Sequence, residues 1–242
     1  LKAGTAFRLA LVTAFQYAEW LPDRLAAEAT FQRMDWKYAL FMPIRYPGLP
    51  EMALCQYRSA LSGSSSGLEA FGSLVASLGE LGLYARNSGN PLPPLVEIGR
   101  AHVLTTVCRL TRLDLLFQSM KNALTLLVAC APDWLRANAL PHWYERYTGS
   151  GSKTGFSSPA RSRGLDSPGL LQDMQAVAED ISWLFTALER DELTELSDKW
   201  EIRCLARLAK NPCVTAEQCA AWQMVACETS LFPEAANRPE QD

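Results

Sequence analysis

The sequence predicts a mainly α-helical protein: a helical bundle with at most one or two short strands near 95–107. Three observations predict it. Apolar residues recur at three- and four-residue steps through most of the chain. The breaks between those stretches carry Pro, Gly and Ser, several beside a residue suited to capping a helix. Of 242 residues, 48% are hydrophobic, enough for a packed core.

Each element follows in order. Over Thr5 to Trp20, the residues Phe7, Leu11, Ala14, Phe15 and Ala18 make one buried helical face. Pro22 and Asp23 punctuate the chain and start a helix to Gln32, which carries Leu25, Ala26, Ala29 and Phe31. Asp35 is placed to cap a short helix from Trp36 to Phe41. Pro43, Pro47, Gly48 and Pro50 make a loop, and a helix resumes near Glu51 with Met52, Leu54, Cys55, Arg58 and Leu61. Gly63 to Gly67 reads as a turn. Leu68, Phe71, Leu74, Val75, Leu78 and Leu81 then return to helical spacing, with Gly82 as a stop.

Residues 85–95 read as loop. The β-branched Val96, Ile98, Val103 and Val107 predict a strand within Leu95 to Val107. Arg109 to Ala131 is the clearest helix, with Leu110, Leu113, Phe117, Met120, Leu124, Leu127 or Val128, and Ala131 on one core stripe. Pro132 and Pro141 each start a short helix. Ser, Gly, Arg and Pro dominate 148–168, a linker between a helical domain at 1–147 and a helical segment at 169–231. That segment divides into Leu170–Arg190, Glu192–Lys210 (with Leu193, Leu196, Trp200, Cys204 and Leu208 as its stripe) and a helix capped by Thr215. Residues 232–242 are expected to be a disordered tail.

Composition narrows the function classes. Mean hydropathy is -0.05, and charges interrupt Leu110 to Ala131, so neither a membrane span nor a membrane partner is expected. No signal peptide is read at the start, and a cytoplasmic location is expected. The seven Cys stand at 55, 108, 130, 204, 213, 219 and 227, with no pair at the two-residue gap of zinc or redox motifs, and read as buried free thiols. With two His as well, the residues give no metal site and no cofactor for this chain. His142 and Glu145 are three apart, but without a third polar partner they read as surface groups rather than an acid–base pair. Trp134, Trp143, Trp183, Trp200 and Trp222 read as core anchors.

Net charge is -3, but it is uneven. Residues 1–148 hold 14 Lys and Arg against 11 Asp and Glu, and residues 149–242 hold 9 against 15. The front half therefore permits DNA contact without establishing it. Its candidate phosphate ligands are Arg24, Arg33, Lys37 and Arg58 on the front helices, with Arg109 and Arg112 further on. Trp36 and Tyr38 are placed to pack or stack beside them. The competing reading is a solvated helix surface over aromatic core residues.

Several segments carry a resemblance. They are Arg8-Leu-Ala-Leu-Val-Thr-Ala-Phe-Gln-Tyr-Ala-Glu19 with Leu21-Pro-Asp-Arg24, Ala26-Ala-Glu28 leading to Arg33-Met-Asp-Trp-Lys-Tyr-Ala-Leu40, and Gln56-Tyr-Arg-Ser-Ala-Leu61. After them come His102-Val-Leu104 with Leu110-Thr-Arg-Leu113, then Ala131-Pro-Asp-Trp-Leu-Arg136 and Trp143-Tyr-Glu-Arg-Tyr147. In order and approximate spacing they resemble the N-terminal half of bacterial DDE transposases with an InsH-type N-terminal domain and the insertion-sequence eleven-eighty-two pattern. The run at 33–40 is the most distinctive. The likeness is good over 5–61 and 102–147 and faint from 149 onward.

The resemblance implies DNA transposition, with recognition of terminal repeats in duplex DNA and, in the full-length family, two Asp and one Glu that bind divalent metal such as Mg for in-line strand transfer. Here the stretch matching the first Asp is Ile98-Gly-Arg-Ala-His-Val103, which puts Gly99 at the ligand position with Arg100 beside it. No catalytic residue is therefore carried over, and the chain is expected to be catalytically incomplete. Two alternatives stay open. One is an interaction or dimerisation remnant that pairs with a second copy or an intact transposase. The other is a reading frame without function, decayed or chimeric, since Glu97 to Val103 is also what a common sequencing adapter encodes in one frame.

Overall fold

A computed structural model describes residues 3–83, 99–148, 167–191 and 193–210. Among these residues the chain is helical, with no strand. The helices are α1 (Ala3–Glu19), α2 (Asp23–Gln32), α3 (Met34–Ala39), α4 (Glu51–Ser62), α5 (Ser65–Glu80) and α6 (Arg100–Cys130). They continue as α7 (Pro132–Asn138), α8 (Pro141–Thr148), α9 (Ser167–Arg190), α10 (Thr194–Ser197) and α11 (Trp200–Lys210).

The 31-residue α6 is the axis of the fold. Its first third places Val103, Leu104 and Val107 in a core with Leu9 and Val12 of α1, Leu54 and Leu61 of α4, and Phe71 and Val75 of α5. Its remainder places Leu110, Leu113, Phe117, Met120 and Leu127 in a second core with Trp143 and Tyr147 of α8, Ile181 and Leu184 of α9, and Ile202 and Leu205 of α11. The cores therefore change over inside α6, between Val107 and Leu110. The segment after the linker packs directly on α6. α6 is also long and apolar enough by length and composition to cross a membrane, although charged residues interrupt it. In this fold it serves as the shared wall of two helical cores.

Several local expectations are corrected. The strand expected to reach Val107 is helix from Arg100 onward, while 95–98 lie outside the described residues. Val103 and Val107 are four apart, so on a helix they share one buried face, and that burial outweighs β-propensity. The turn at 63–67 shrinks to Gly63 and Ser64. The Ser64 hydroxyl accepts from the Gly67 N–H at 3.1 Å and starts α5 at Ser65. Arg33 rather than Asp35 stands at the cap of α3, and Asp35 lies in the first turn, where a carboxylate suits the helix dipole.

The stretch 192–210 is two helices. The buried stripe of α11 is Ile202, Leu205 and Leu208, while Trp200 is exposed and Cys204 half-buried. Leu196 and Ile202 are six apart, which no single helical face accommodates. Trp183 is likewise exposed, and so is Cys130, against the expected burial of both. The loop at 85–95, most of the linker, the helix after Thr215, Trp222 and the tail lie outside the described residues.

Candidate nucleic-acid interface

The six cations marked as DNA ligands have very different surroundings. Arg58, on α4, is buried at 1% exposure and grips the Asp23 carboxylate with both terminal nitrogens, Nη1 to Oδ1 at 2.8 Å. Asp23 opens α2 and is itself fully buried. It also accepts from Gln16 Nε2 at 2.7 Å, and its backbone N–H donates to Thr111 Oγ1 of α6 at 3.2 Å. Through its carboxylate and its backbone N–H, this single residue ties α1, α2, α4 and α6 together. Arg58 points inward, and no phosphate reaches it without dismantling that centre.

Arg24 is half-exposed and bidentate to Asp114 of α6, at 3.0 and 3.1 Å. Burial raises the Asp114 carboxyl above its ordinary value, with Arg24 pulling the other way. Glu51, at the start of α4, is pushed up to about 7, first by burial and then by the nearby Asp23 and Asp114, against Arg24 and Arg58. Three carboxyls thus face two guanidiniums, and Glu51 is the one left over.

Arg33 links the end of α1 to α3. It donates to Glu19 and to Asp35, and its guanidinium lies 5.2 Å from the Trp36 ring centroid. Trp36 is buried, donates Nε1–H to Glu19 at 3.0 Å and packs against Phe15. It packs rather than stacks outward. Lys37 is buried too, its Nζ donating to the Ile44 carbonyl at 2.6 Å and lying over the Phe31 ring. Arg112 donates to the Leu208 carbonyl at 3.3 Å and caps the last turn of α11. Arg109 is half-buried and makes no ion pair with a described residue.

The outward surface is therefore made of other residues. On α3, Trp36 and Leu40 point into the core, and Met34, Tyr38 and Phe41 follow one another on the opposite side at four- and three-residue steps. Tyr38 is 87% exposed and Phe41 77%. Phe41 has a φ of 52°, in the left-handed region that L residues avoid. It ends α3 through an N–H from Met42 to the Lys37 carbonyl at 2.9 Å. Gly48 returns the loop past α2 at a φ of 88°, where a Cβ would stand 3.0 Å from Phe31 Cβ. Arg8 of α1 reaches across and donates to the Leu40 and Phe41 carbonyls, both at 3.0 Å. Arg45 is exposed beside Ile44. Among the described residues no carboxylate pairs with Arg8, Lys37 or Arg45.

Of this surface the sequence marked Tyr38 and Lys37, and it missed Arg8, Phe41 and Arg45. Arg8 sits on a helix that looks purely apolar, and the exposure of Phe41 depends on a backbone turn with no Gly to announce it.

A second polar cluster joins α8 to α9. Asp180 accepts from His142 Nε2 at 2.8 Å, from Tyr147 Oη at 2.7 Å and from Arg146. Burial works against its charge, but these hydrogen bonds outweigh it and hold the carboxyl below its ordinary value. His142 thus has the polar partner that the sequence did not reveal, 38 residues away, and the arrangement is a helix-to-helix clamp. At the position of the family's first metal-binding Asp, Gly99 caps α6 and offers no donor side chain. Arg100 turns back to the Leu68 carbonyl over Gly72 of α5. Among the described residues no group of three His, Cys, Asp or Glu is arranged to hold a metal. These residues do not fit the metal pair that the resemblance implies. No family model matches the chain, and no curated protein or solved structure is significantly similar to it.

Proposed function

We propose that this chain is the DNA-recognition region of an insertion-sequence transposase, binding duplex DNA at terminal repeats and without a strand-cleaving donor set in the part described. One observation carries the reading. The segments that resemble the family lie far apart in sequence, yet they bond to one another: Glu19 with Arg33 and Trp36, Asp23 with Arg58 and Thr111. Chance likeness of separate short segments gives no reason for such pairing, whereas an inherited helical unit does. Arg8 and Arg45, which have no carboxylate partner among the described residues, add electrostatic support.

A second reading is favoured by the exposed apolar residues of α3: an interaction module that binds a second copy or an intact transposase. Selection of bound sequences from a random duplex pool, at low and at moderate salt, separates the two. Enrichment of a defined sequence, with affinity falling as salt rises, is the outcome expected for DNA recognition. A folded chain that enriches nothing and does not bind duplex at low salt overturns it. Salt-insensitive self-association in that case would favour the interaction module, and neither behaviour would favour a frame without function.

A further inference from the structure

Building on the DNA-recognition reading, we propose that the outer face of α3 and the turn after it form a stacking platform for unpaired bases at the DNA end. Tyr38 and Phe41 would supply the stacking surfaces, and the half-buried Arg8 and exposed Arg45 the accompanying positive charge, with Lys37 buried behind them.

Three features of the face point this way. Its two most exposed apolar groups, Tyr38 and Phe41, are flat aromatic rings held outward beside Ile44 and Met34, and such rings receive bases of any sequence. Its charge is one-sided. Arg8 and Lys37 spend their hydrogen bonds on neutral backbone carbonyls, Arg45 is exposed, and none has a carboxylate partner among the described residues. Glu19 of α1 and Asp35 of α3 are both taken by Arg33. An exposed aromatic face with cations that lack a described carboxylate partner complements a polyanion with exposed π faces, and an uncharged apolar partner would leave that charge unanswered. Finally, Phe41 occupies a left-handed position, and its ring gains little burial in return. Gly or Asn would end α3 with less strain, so an exposed aromatic here is explained by contact with something outside the chain.

Unpaired bases fit better than intact duplex. Tyr38 and Phe41 stand on a convex helix end, and their rings can take up bases only where those bases have left the stack. Such bases are present at a frayed or nicked element end.

The test uses the full chain and two fluorescent probes of one sequence: a fully paired duplex, and the same duplex with a short single-stranded overhang. The overhang probe is expected to bind more tightly, and Tyr38→Ala and Phe41→Gly are each expected to weaken it by about tenfold while leaving the paired duplex nearly unchanged. Arg45→Ala is expected to reduce the salt dependence on both probes. Phe41→Gly suits the backbone it replaces, so lost binding cannot be laid to lost folding, and its melting temperature is read alongside. If the chain binds paired duplex but both aromatic variants bind the overhang probe like the parent, this inference fails and the DNA-recognition reading stands. If neither probe is bound at low salt, the recognition reading itself fails. Equal loss on both probes overturns the platform, and so does loss of phosphatidylserine-vesicle binding or of self-association in place of DNA affinity.

Discussion

The two cores along α6 are stabilised by different means. The N-terminal core, around α1, α2, α4 and α5, has an ion pair at its centre: Arg58 and Asp23 are both essentially out of solvent. The C-terminal core, around α8, α9 and α11, also buries a carboxylate, Asp180 at 3% exposure, but its partners His142 and Arg146 reach solvent, at 47% and 26%. Burying an ion pair gives little net stability but makes alternative packings costly, because each would strand a charge. The N-terminal core therefore specifies how four helices meet, and the C-terminal core mostly supplies apolar burial.

The largest effect should come from breaking that contrast at its centre. Arg58→Met keeps most of the volume but leaves the Asp23 carboxylate buried without its guanidinium, at an expected cost of about 3–5 kcal/mol in denaturant unfolding. Adding Asp23→Leu removes the stranded charge and should recover most of the loss. If the double variant is no better than the single one, the pair matters through its shape and not its charge.

Next in size is Asp180→Asn. Asn offers one acceptor where Arg146, Tyr147 and His142 need several, so a loss of about 2–3 kcal/mol is expected. Hydrogen exchange should show it first in α8 and α9, with α2 and α4 nearly unaffected. Equal loss of protection in both regions would show that α6 welds the cores into one cooperative unit and would remove the distinction drawn here.

One carboxyl from each region responds to pH with opposite sign. Asp180 is held below its ordinary value, so its contribution is present above the ordinary carboxylate range and is lost as pH falls through its folded value. Glu51 is raised to about 7 from 4.5, so the folded state holds a proton that the unfolded chain releases earlier. Stability from this group falls as pH rises from about 4.5 to about 7 and then levels off. Glu51→Gln should flatten that limb and leave the protein about 1–3 kcal/mol more stable than the parent at pH 8, as read from paired denaturant titrations at pH 5 and 8. A variant that tracks the parent at both pH values would mean Glu51 ionises freely.

The same contrast governs what the sequence revealed. Periodicity marked nearly every helix, because apolar spacing is a local property: α2 falls on the predicted Asp23–Gln32 and α4 close to its predicted start. The start of α6 was hidden by β-branched residues whose burial depends on α1 and α5. The predicted stripe over 192–210 held at Leu208 and missed at Trp200, which looks like a core residue until its neighbours are in place. Among the candidate ligands, charge was legible and direction was not. Arg58 and Arg45 look alike in a sequence, yet one is the centre of a core and the other stands in solvent. Which one finds a carboxylate is settled by a helix 35 residues away.

The smallest predicted effect separates stability from function most cleanly. Trp20 and Phe41 both end a helix with a left-handed φ, at 57° and 52°. Trp20 is buried in the C-terminal core, so replacing it removes packing along with strain. Phe41 is mostly exposed, so Phe41→Gly removes strain and little else. The left-handed region costs an L residue about 1–2 kcal/mol, offset in part by the extra freedom that Gly has in the unfolded chain. The net expectation is a gain of up to about 1 kcal/mol, seen as a small rise in melting temperature. A loss of stability of more than about 1 kcal/mol would mean that the ring has internal packing worth keeping, and the stacking platform would then lose its best argument. A more stable variant with weaker overhang binding would mark Phe41 as a residue kept at a cost to the fold.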